Sequence, residues 1–483
     1  MKSQSFIILL VIFVFSITIQ AQNFNDALRL SDPGLISNPR ALGMGNAYTG
    51  VSNDFGASLF NPAGFALIRS TEFSGSFNYN SFKNQTTFFG GQTDYKNSLT
   101  NINQIGFAFP FPTTQGSFVI GFGYNEFKNF NSALKFNGYN PSGNSMIQDL
   151  ASYNDDIAYD LGLSYPLYDA NGNYIRDNTV IDGKLNQSGT INQTGGLKSW
   201  NLSAAVEFQK DLFFGITVGR INGNFNRNRQ YTESDVFNNY PSSVLLDPDY
   251  PETADFQSFY FNDIIKWDVT AWDFTFGLMS KLGHNMNIGF TYKLPRHYTI
   301  KETYYVDANS EFGTGQRYYL DPPIENKVRY DIATPAELTA GASFQQAGLT
   351  VSFDAKMIDY TQMKFENGLD ISDIEANNSD IKDLFRTVFN LHAGAEFNLP
   401  VTGLSLRAGF MLLPSPYKDD PSDYDKKVAT VGLGINSNDF VQFNVAYSYG
   451  WWKDYGDNYG SNVSRTFQNI SHSNLIIGMK YNF

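Results

Sequence analysis

Trp200-Asn201-Leu202-Ser203-Ala204-Ala205-Val206-Glu207-Phe208 alternates strictly, with apolar residues at the even positions and polar or small ones at the odd positions. Successive side chains of a strand point to opposite faces, so this stretch reads as a half-buried β-strand with one greasy face. The same parity recurs at Ile288, Phe290, Tyr292 and Leu294, at Leu349, Val351, Phe353 and Ala355, and from Phe389 to Leu399. Alternation rewards a protein core and a lipid environment equally. Connection lengths separate them.

The pattern predicts fourteen strands, near 71–82, 101–111, 115–127, 198–209, 212–230, 262–282, 284–305, 326–346, 348–365, 386–398, 402–414, 426–437, 439–450 and 468–483. Connections after the even strands are tight, as at Lys210 to Asp211, Gly283, Ala347, and Pro400 to Val401. Those after the odd strands are long, reaching about seventy residues after the third. Short inner turns, longer outer loops and an even strand count describe a bacterial transmembrane barrel. The predicted fold is therefore all-β, a 14-stranded antiparallel transmembrane β-barrel. Its last strand places Leu475, Ile477, Met479, Tyr481 and the terminal Phe483 on one face, which resembles the signal read by the barrel-assembly machinery.

Composition agrees. Aromatic residues reach 16%, driven by 43 Phe and 29 Tyr, types that favour strands and membrane interfaces. There is no Cys, which excludes disulfides, thiolate zinc sites and cysteine nucleophiles. A net charge of −13 repels a phosphate backbone, so no nucleic-acid partner is expected. The apolar run Phe6–Ile19 follows Lys2 and precedes Ala21; at about 14 residues it is shorter than the ~20 of a spanning helix and reads as a signal peptide. The expected organisation is a signal peptide over 1–21, an N-terminal segment over 22–70 and a barrel over 71–483.

Residues 23 to 70 do not alternate. They carry Asn38-Pro39-Arg40-Ala41-Leu42-Gly43-Met44-Gly45-Asn46-Ala47-Tyr48-Thr49-Gly50, then Asp54 and Asn61-Pro62-Ala63-Gly64. Gly43 and Gly45 are no phosphate cradle, because no strand precedes them and Tyr48 stands where a third Gly is needed. Small residues instead suit a compact plug inside a lumen, which fourteen strands leave wide enough.

On these residues the chain resembles the FadL-type outer-membrane transporters of long-chain fatty acids and other hydrophobic compounds. Weaker echoes are Thr334-Pro335-Ala336-Glu337 and Asp359-Tyr360-Thr361. The resemblance implies a hatch, with Gly43, Gly45, Asn61, Pro62 and Ala63 at the gate. It implies passive uptake of a hydrophobic small molecule such as a fatty acid, with lateral exit into outer-membrane lipid, in the cell outer membrane of a Gram-negative bacterium. It also implies a side opening at the third strand, where Gly121 and Gly123 have lumen parity; packing against the hatch explains these two equally well.

Phe127, Phe130, Leu134 and Phe136 begin the longest loop, and Phe256, Phe259, Tyr260, Phe261, Ile264 and Ile265 end the one before the sixth strand. Two readings stand for them, a first ligand groove among the loops or an aromatic girdle. Lys293, Lys356 and Arg407 have lumen parity and the charge to meet a carboxylate headgroup, or else pair with lumen acids such as Asp354 or Glu207. The acidic loops, among them Asp155, Asp156 and Asp182, read as solvated surface. Asp169, Asn171 and Asn173 lack the Gly of a calcium loop, with Tyr174 in its place. The four His, at 284, 297, 392 and 472, lack metal-ligand spacing, and no Gly-x-Ser-x-Gly elbow accompanies them, so neither an enzyme nor a cofactor is expected. A hydrophilic porin and a structural or secretion-associated barrel are the competing functions.

Overall fold

The computed structural model describes residues 22–32, 34–35, 37–153, 157–400, 402–437 and 440–483. The signal-peptide stretch, Asp155, Asp156 and Val401 lie outside the described residues.

Fourteen staves form one closed antiparallel sheet. They are β1 (Glu72–Phe88), β2 (Gly91–Phe111), β3 (Phe118–Asn129), β4 (Asn186–Gln209), β5 (Leu212–Ser234), β6 (Phe256–Leu282), and β7 in two pieces (Met286–Lys293 and His297–Phe312). There follow β8 in two pieces (Ile324–Ala333 and Glu337–Gln346), β9 (Leu349–Asp359), β10 (Thr387–Asn398), β11 (Leu404–Leu413), β12 (Lys426–Asn436), β13 (Val441–Asp457) and β14 (Arg465–Asn482). Each stave pairs with the next in sequence, and β14 closes on β1 from Glu72↔Asn482 to Thr87↔Phe467. Closure leaves no unpaired edge, which is what a sheet needs to stand in hydrocarbon. No described helix is long and apolar enough to cross a membrane.

The opening stretch decides what the greasy face meets. On β4, Trp200 and Leu202 are 51% and 55% exposed, while Asn201 and Ser203 are 3% and 1% exposed. Apolar side chains point out of the barrel and polar ones into it, the arrangement of a membrane wall.

That polarity reverses along the longest staves. On β6, Trp272, Phe274 and Leu278 face outward, whereas further along Phe259, Phe261, Ile265, Trp267 and Val269 are buried on the inner face. The switch falls at the adjacent apolar pair Ala271-Trp272. At 24, 23 and 27 residues, β4, β5 and β6 far exceed the ~10 needed to span a bilayer. Their distal halves stand in water, so they turn their apolar face inward and enclose a second core.

Three features depart from the sequence reading. β1 and β2 run on to a turn at Phe89–Gly90, so the first long connection is a projecting hairpin whose polar residues pair in register from Lys83↔Lys96 to Phe88↔Gly91. β7 and β8 are each broken, at Leu294–Arg296 and Thr334–Ala336, because Pro295 and Pro335 remove ladder donors. The breaks are at one level: Thr334 donates its amide to the Arg296 carbonyl at 2.9 Å, and Arg296 donates its own to Thr334 Oγ1 at 3.2 Å. The ninth strand stops at Asp359, where Tyr360–Gln362 turns as a short 3-10 helix before Lys364–Asn367 pairs with β8.

Candidate functional site

The segment before β1 lies inside the barrel. Two helices, α1 (Phe24–Ser31) and α2 (Pro39–Gly43), precede two 3-10 turns, Phe55–Ser58 and Pro62–Leu67. Each start is capped by a polar side chain. Asn23 accepts from Asn25 N, Asn38 from Ala41 N, Asp54 from Gly56 N and Asn61 from Ala63 N. Caps matter here because elements this short make few internal hydrogen bonds.

The inner segment meets the wall through glycines on ten of the fourteen staves. A Cβ on Gly478 of β14 would meet Pro39 at 2.8 Å; on Gly432 of β12, Gly43 at 3.0 Å; on Gly409 of β11, Gly45 N at 2.2 Å. On Gly394 of β10 it would meet the Met44 carbonyl at 2.1 Å, and on Gly341 and Gly289 of β8 and β7, Thr49 at 2.8 and 2.4 Å. Gly277 and Gly215 of β6 and β5 admit Asn61 and Pro62 at 2.2 and 2.3 Å. Gly121 of β3 and Gly106 of β2 admit the Phe65 and Phe55 rings at 2.4 and 2.2 Å. The segment crosses the lumen and touches wall all round. Bare backbone lets main chain approach main chain at Gly432, Gly409, Gly394, Gly289 and Gly215, and leaves room for a side chain at the other five.

Polar anchors fix its position. Arg40 grips Glu396 of β10, which also accepts from Arg407 Nε at 2.6 Å. Tyr48 N and Thr49 N donate to Asp354 of β9 at 2.9 and 2.8 Å. Asn61 Nδ2 donates to the carbonyls of Thr49 at 2.9 Å and Leu278 at 3.1 Å. His392 Nδ1 lies 3.0 Å from the Gly45 carbonyl.

Between this segment and the wall lies an open cavity with about 970 Å³ of empty space. Leu30, Leu59, Phe60, Phe127, Met411 and Leu413 give it apolar surface. Lys128, Lys293, Arg296 and Lys356 face it with Asp32, Glu337 and Asp354, four cations against three carboxylates. Arg296 is bound to Asp273 at 2.5 Å and Glu337 at 2.9 Å, and Lys356 to Glu337 at 3.1 Å. Among the described residues, no carboxylate lies within 4 Å of the Lys293 ammonium.

The sequence-predicted residues separate into three groups. Gly43, Gly45, Asn61, Pro62 and Ala63 are at the wall contacts just described, and Lys293 and Lys356 line the cavity. Arg407 does not line it: its side chain is 1% exposed and held by Glu396 and Asn444. The pairing partners are Glu337 and Glu396, which sequence parity did not single out, in place of Asp354 and Glu207. Phe130, Phe136, Phe256, Phe259 and Phe261 form neither an open groove nor a lipid-facing girdle; all are at most 6% exposed, inside the distal core. Phe136 packs on Phe88 at 4.9 Å, and Phe130 on Phe225 at 5.2 Å. Gly121 and Gly123 face the lumen, and Phe65 and Phe55 fill the space beside them. Asp169 Oδ1 accepts the amides of Asn171 and Asn173, both at 2.8 Å, so it caps a turn.

Residues 186–483 match the family described as outer membrane protein transport protein (OMPP1/FadL/TodX). The chain belongs to this family. Solved structures similar to this FadL/TodX-type chain include a Pseudomonas aeruginosa FadL homologue, 14% identical, covering 92% of this chain and 98% of that one with a TM-score of 0.58. The P. putida toluene transporter TodX is 14% identical, with 93% and 99% covered and a TM-score of 0.56. The Ralstonia pickettii toluene transporter TbuX is 15% identical, with 93% and 98% covered and a TM-score of 0.51. At these identities the likeness is one of fold. Among curated proteins the sequence has no match. The matched region begins at Asn186, so the Ala41–Gly64 pattern lies outside it. The protein is an outer-membrane β-barrel of a Gram-negative bacterium, in a family of channels for hydrophobic compounds.

Proposed function

We propose that this barrel takes up amphipathic hydrophobic molecules, long-chain fatty acids first among them, by diffusion gated by the inner segment acting as a hatch. The carrying observation is the cavity that joins apolar surface to an ammonium, Lys293, with no carboxylate within 4 Å among the described residues. An alkyl chain suits Leu30, Phe60 and Leu413, and a carboxylate suits Lys293. The solute enters by parting the closed apolar core around Phe259 and Phe261, displaces Gly43–Gly45 and Asn61–Ala63 from the wall, and, once Phe65 and Phe55 move with them, leaves sideways past Gly121 and Gly123 into lipid. No energy source is needed, because the solute is more stable in hydrocarbon than in water.

Monoaromatic hydrocarbons are the alternative cargo, since relatives of this fold include a protein described as the CymD monoaromatic hydrocarbon channel. They make no use of Lys293. Uptake of labelled oleate, toluene and a small sugar into cells lacking the gene, and into complemented cells, tests the proposal. Restored oleate uptake without a sugar effect supports it. Toluene uptake alone would replace the cargo, and a sugar response would replace the mechanism with that of a porin.

A further inference from the structure

We propose that the outward face of β5–β8, beside the membrane's outer surface, binds the phosphorylated headgroup of a glycolipid in the outer leaflet. The short turns and the Glu72↔Asn482 pairing of the first and last staves lie at one rim, so the distal halves of the staves lie at the outer one. On those halves, register places side chains in two adjacent rows. Asn224, Asp268, Lys301 and Arg329 are successive neighbours across β5–β8, and Asn226, Lys266, Thr303 and Lys327 form the next row. With strands ~4.8 Å apart, the four cations fall within a patch on the order of 10–15 Å across.

Lys266, Lys301, Lys327 and Arg329 are all exposed. They border an open cleft with about 1060 Å³ of empty space. Lys327 pairs with Glu325 at 2.6 Å, but among the described residues Lys266, Lys301 and Arg329 have no ion pair. Against the four cations the two rows hold one carboxylate, Asp268, in a chain whose net charge is −13. Some exposed cations elsewhere are matched, as Lys453 is by Asp423 at 2.7 Å and Lys83 by Asp94 at 3.3 Å, and others such as Lys96, Lys135 and Lys210 are exposed without an ion pair among the described residues. What sets the patch apart is that register gathers four cations in two adjacent rows. Composition does not account for this concentration of positive charge.

Its height identifies the occupant. Trp272, outward and 52% exposed, ends the apolar belt, and the Arg220 guanidinium lies 5.1 Å from its ring. Indole rings mark the membrane interface. Asp268 is four residues beyond Trp272, so the patch begins ~10 Å further out along a tilted strand, at headgroup depth. It faces sideways, with Phe274 and Leu278 beneath it in the belt. A molecule with phosphates directly above acyl chains satisfies both surfaces at once, whereas a free anion uses only the upper one. Lysine and arginine then neutralise phosphates otherwise bridged by divalent cations.

Native mass spectrometry of the purified full-length barrel, titrated with bis-phosphorylated lipid A and with its dephosphorylated form, tests this. The phosphorylated form should bind about tenfold more tightly, an advantage that shrinks with added salt. The triple variant K266E/K301E/R329E should abolish the preference while keeping the heat-modifiable migration of a folded barrel. The single variant K301Q, which leaves three of the four cations, should lower it by about threefold. Equal binding of the two lipids, a preference that survives in the triple variant, or displacement of the lipid by millimolar inorganic phosphate would each overturn the proposal.

Discussion

Arg40 of the inner segment and Glu396 of β10 form a two-pronged ion pair, with Nε 2.9 Å from one carboxylate oxygen and Nη2 2.8 Å from the other. Glu396 is buried and serves Arg407 as well. Replacing it with Gln strands two guanidiniums beside a neutral amide. Loss of one partner from a buried pair typically costs about 3–5 kcal/mol. Glu396→Gln should therefore release the segment before it unfolds the barrel. Limited proteolysis should show faster cleavage within 37–70 while the barrel fragment keeps its heat-modifiable migration.

Gly394 faces the Met44 carbonyl so closely that an added methyl would lie 2.1 Å from it. Gly394→Ala should displace the segment at a cost of about 1–3 kcal/mol. Gly75, whose nearest atom would be 3.9 Å away, is the control, and Gly75→Ala should change stability by less than about 0.5 kcal/mol. Single-channel conductance in planar bilayers reads the difference. Only the Gly394 variant should show frequent openings.

Asp354 is the acceptor for two successive amides, Tyr48 N and Thr49 N. Asp354→Ala leaves both unpaired within the lumen, at about 1–3 kcal/mol each. Hydrogen exchange at Tyr48 and Thr49 should accelerate at least tenfold, with the amides of β4 and β5 unaffected. Unchanged exchange at those two sites would show that the segment is held without Asp354.

For Lys293 the expected effect is selective. Lys293→Gln should weaken binding of a fluorescent fatty acid by about tenfold or more, since a charge-assisted hydrogen bond contributes roughly 1.5–3 kcal/mol. The matching fatty alcohol should bind as before. Lys356→Gln should do less, because Glu337 already occupies that ammonium.

In the loops outside the membrane, the Tyr240 hydroxyl donates to Asp182 at 2.7 Å and holds its carboxyl below the usual range. A depressed carboxylate stabilises the fold above its unfolded value, and that contribution fades as pH falls through the folded one. Acidification should therefore loosen the stretch around Asp182, measured as faster exchange of its amide. Tyr240→Phe should weaken that pH dependence, leaving the smaller part due to Lys184 at 3.4 Å.

Much of the barrel was legible because alternation is local. Trp200 to Phe208 states its own period, and the outward exposure of Trp200 and Leu202 follows once lipid is known to be outside. Register was not legible, and so neither were partners. Parity placed Lys356 and Arg407 inside, but Glu337 and Glu396 reach them from adjacent strands whose alignment no single strand specifies. The inward Phe259 and Phe261 escaped because the apolar parity shifts at Ala271-Trp272, a signal visible only when a strand is read across its whole length. Pro295 and Pro335 did carry a readable sign of the breaks. The inward glycines were readable too, since Gly289, Gly341 and Gly394 occupy polar-parity positions, but only Gly121 and Gly123 were singled out.

The glycine contacts have a consequence for how the inner segment can move. They are geared together: a slide of one residue would spoil the fit at all ten bare positions around the wall at the same moment. Intermediate positions are thus all costly, and displacement should be cooperative, a detent rather than a gradual yielding. On the proposed hatch function, a segment held this way stays shut under small thermal excursions and opens steeply once enough of its contacts are lost together.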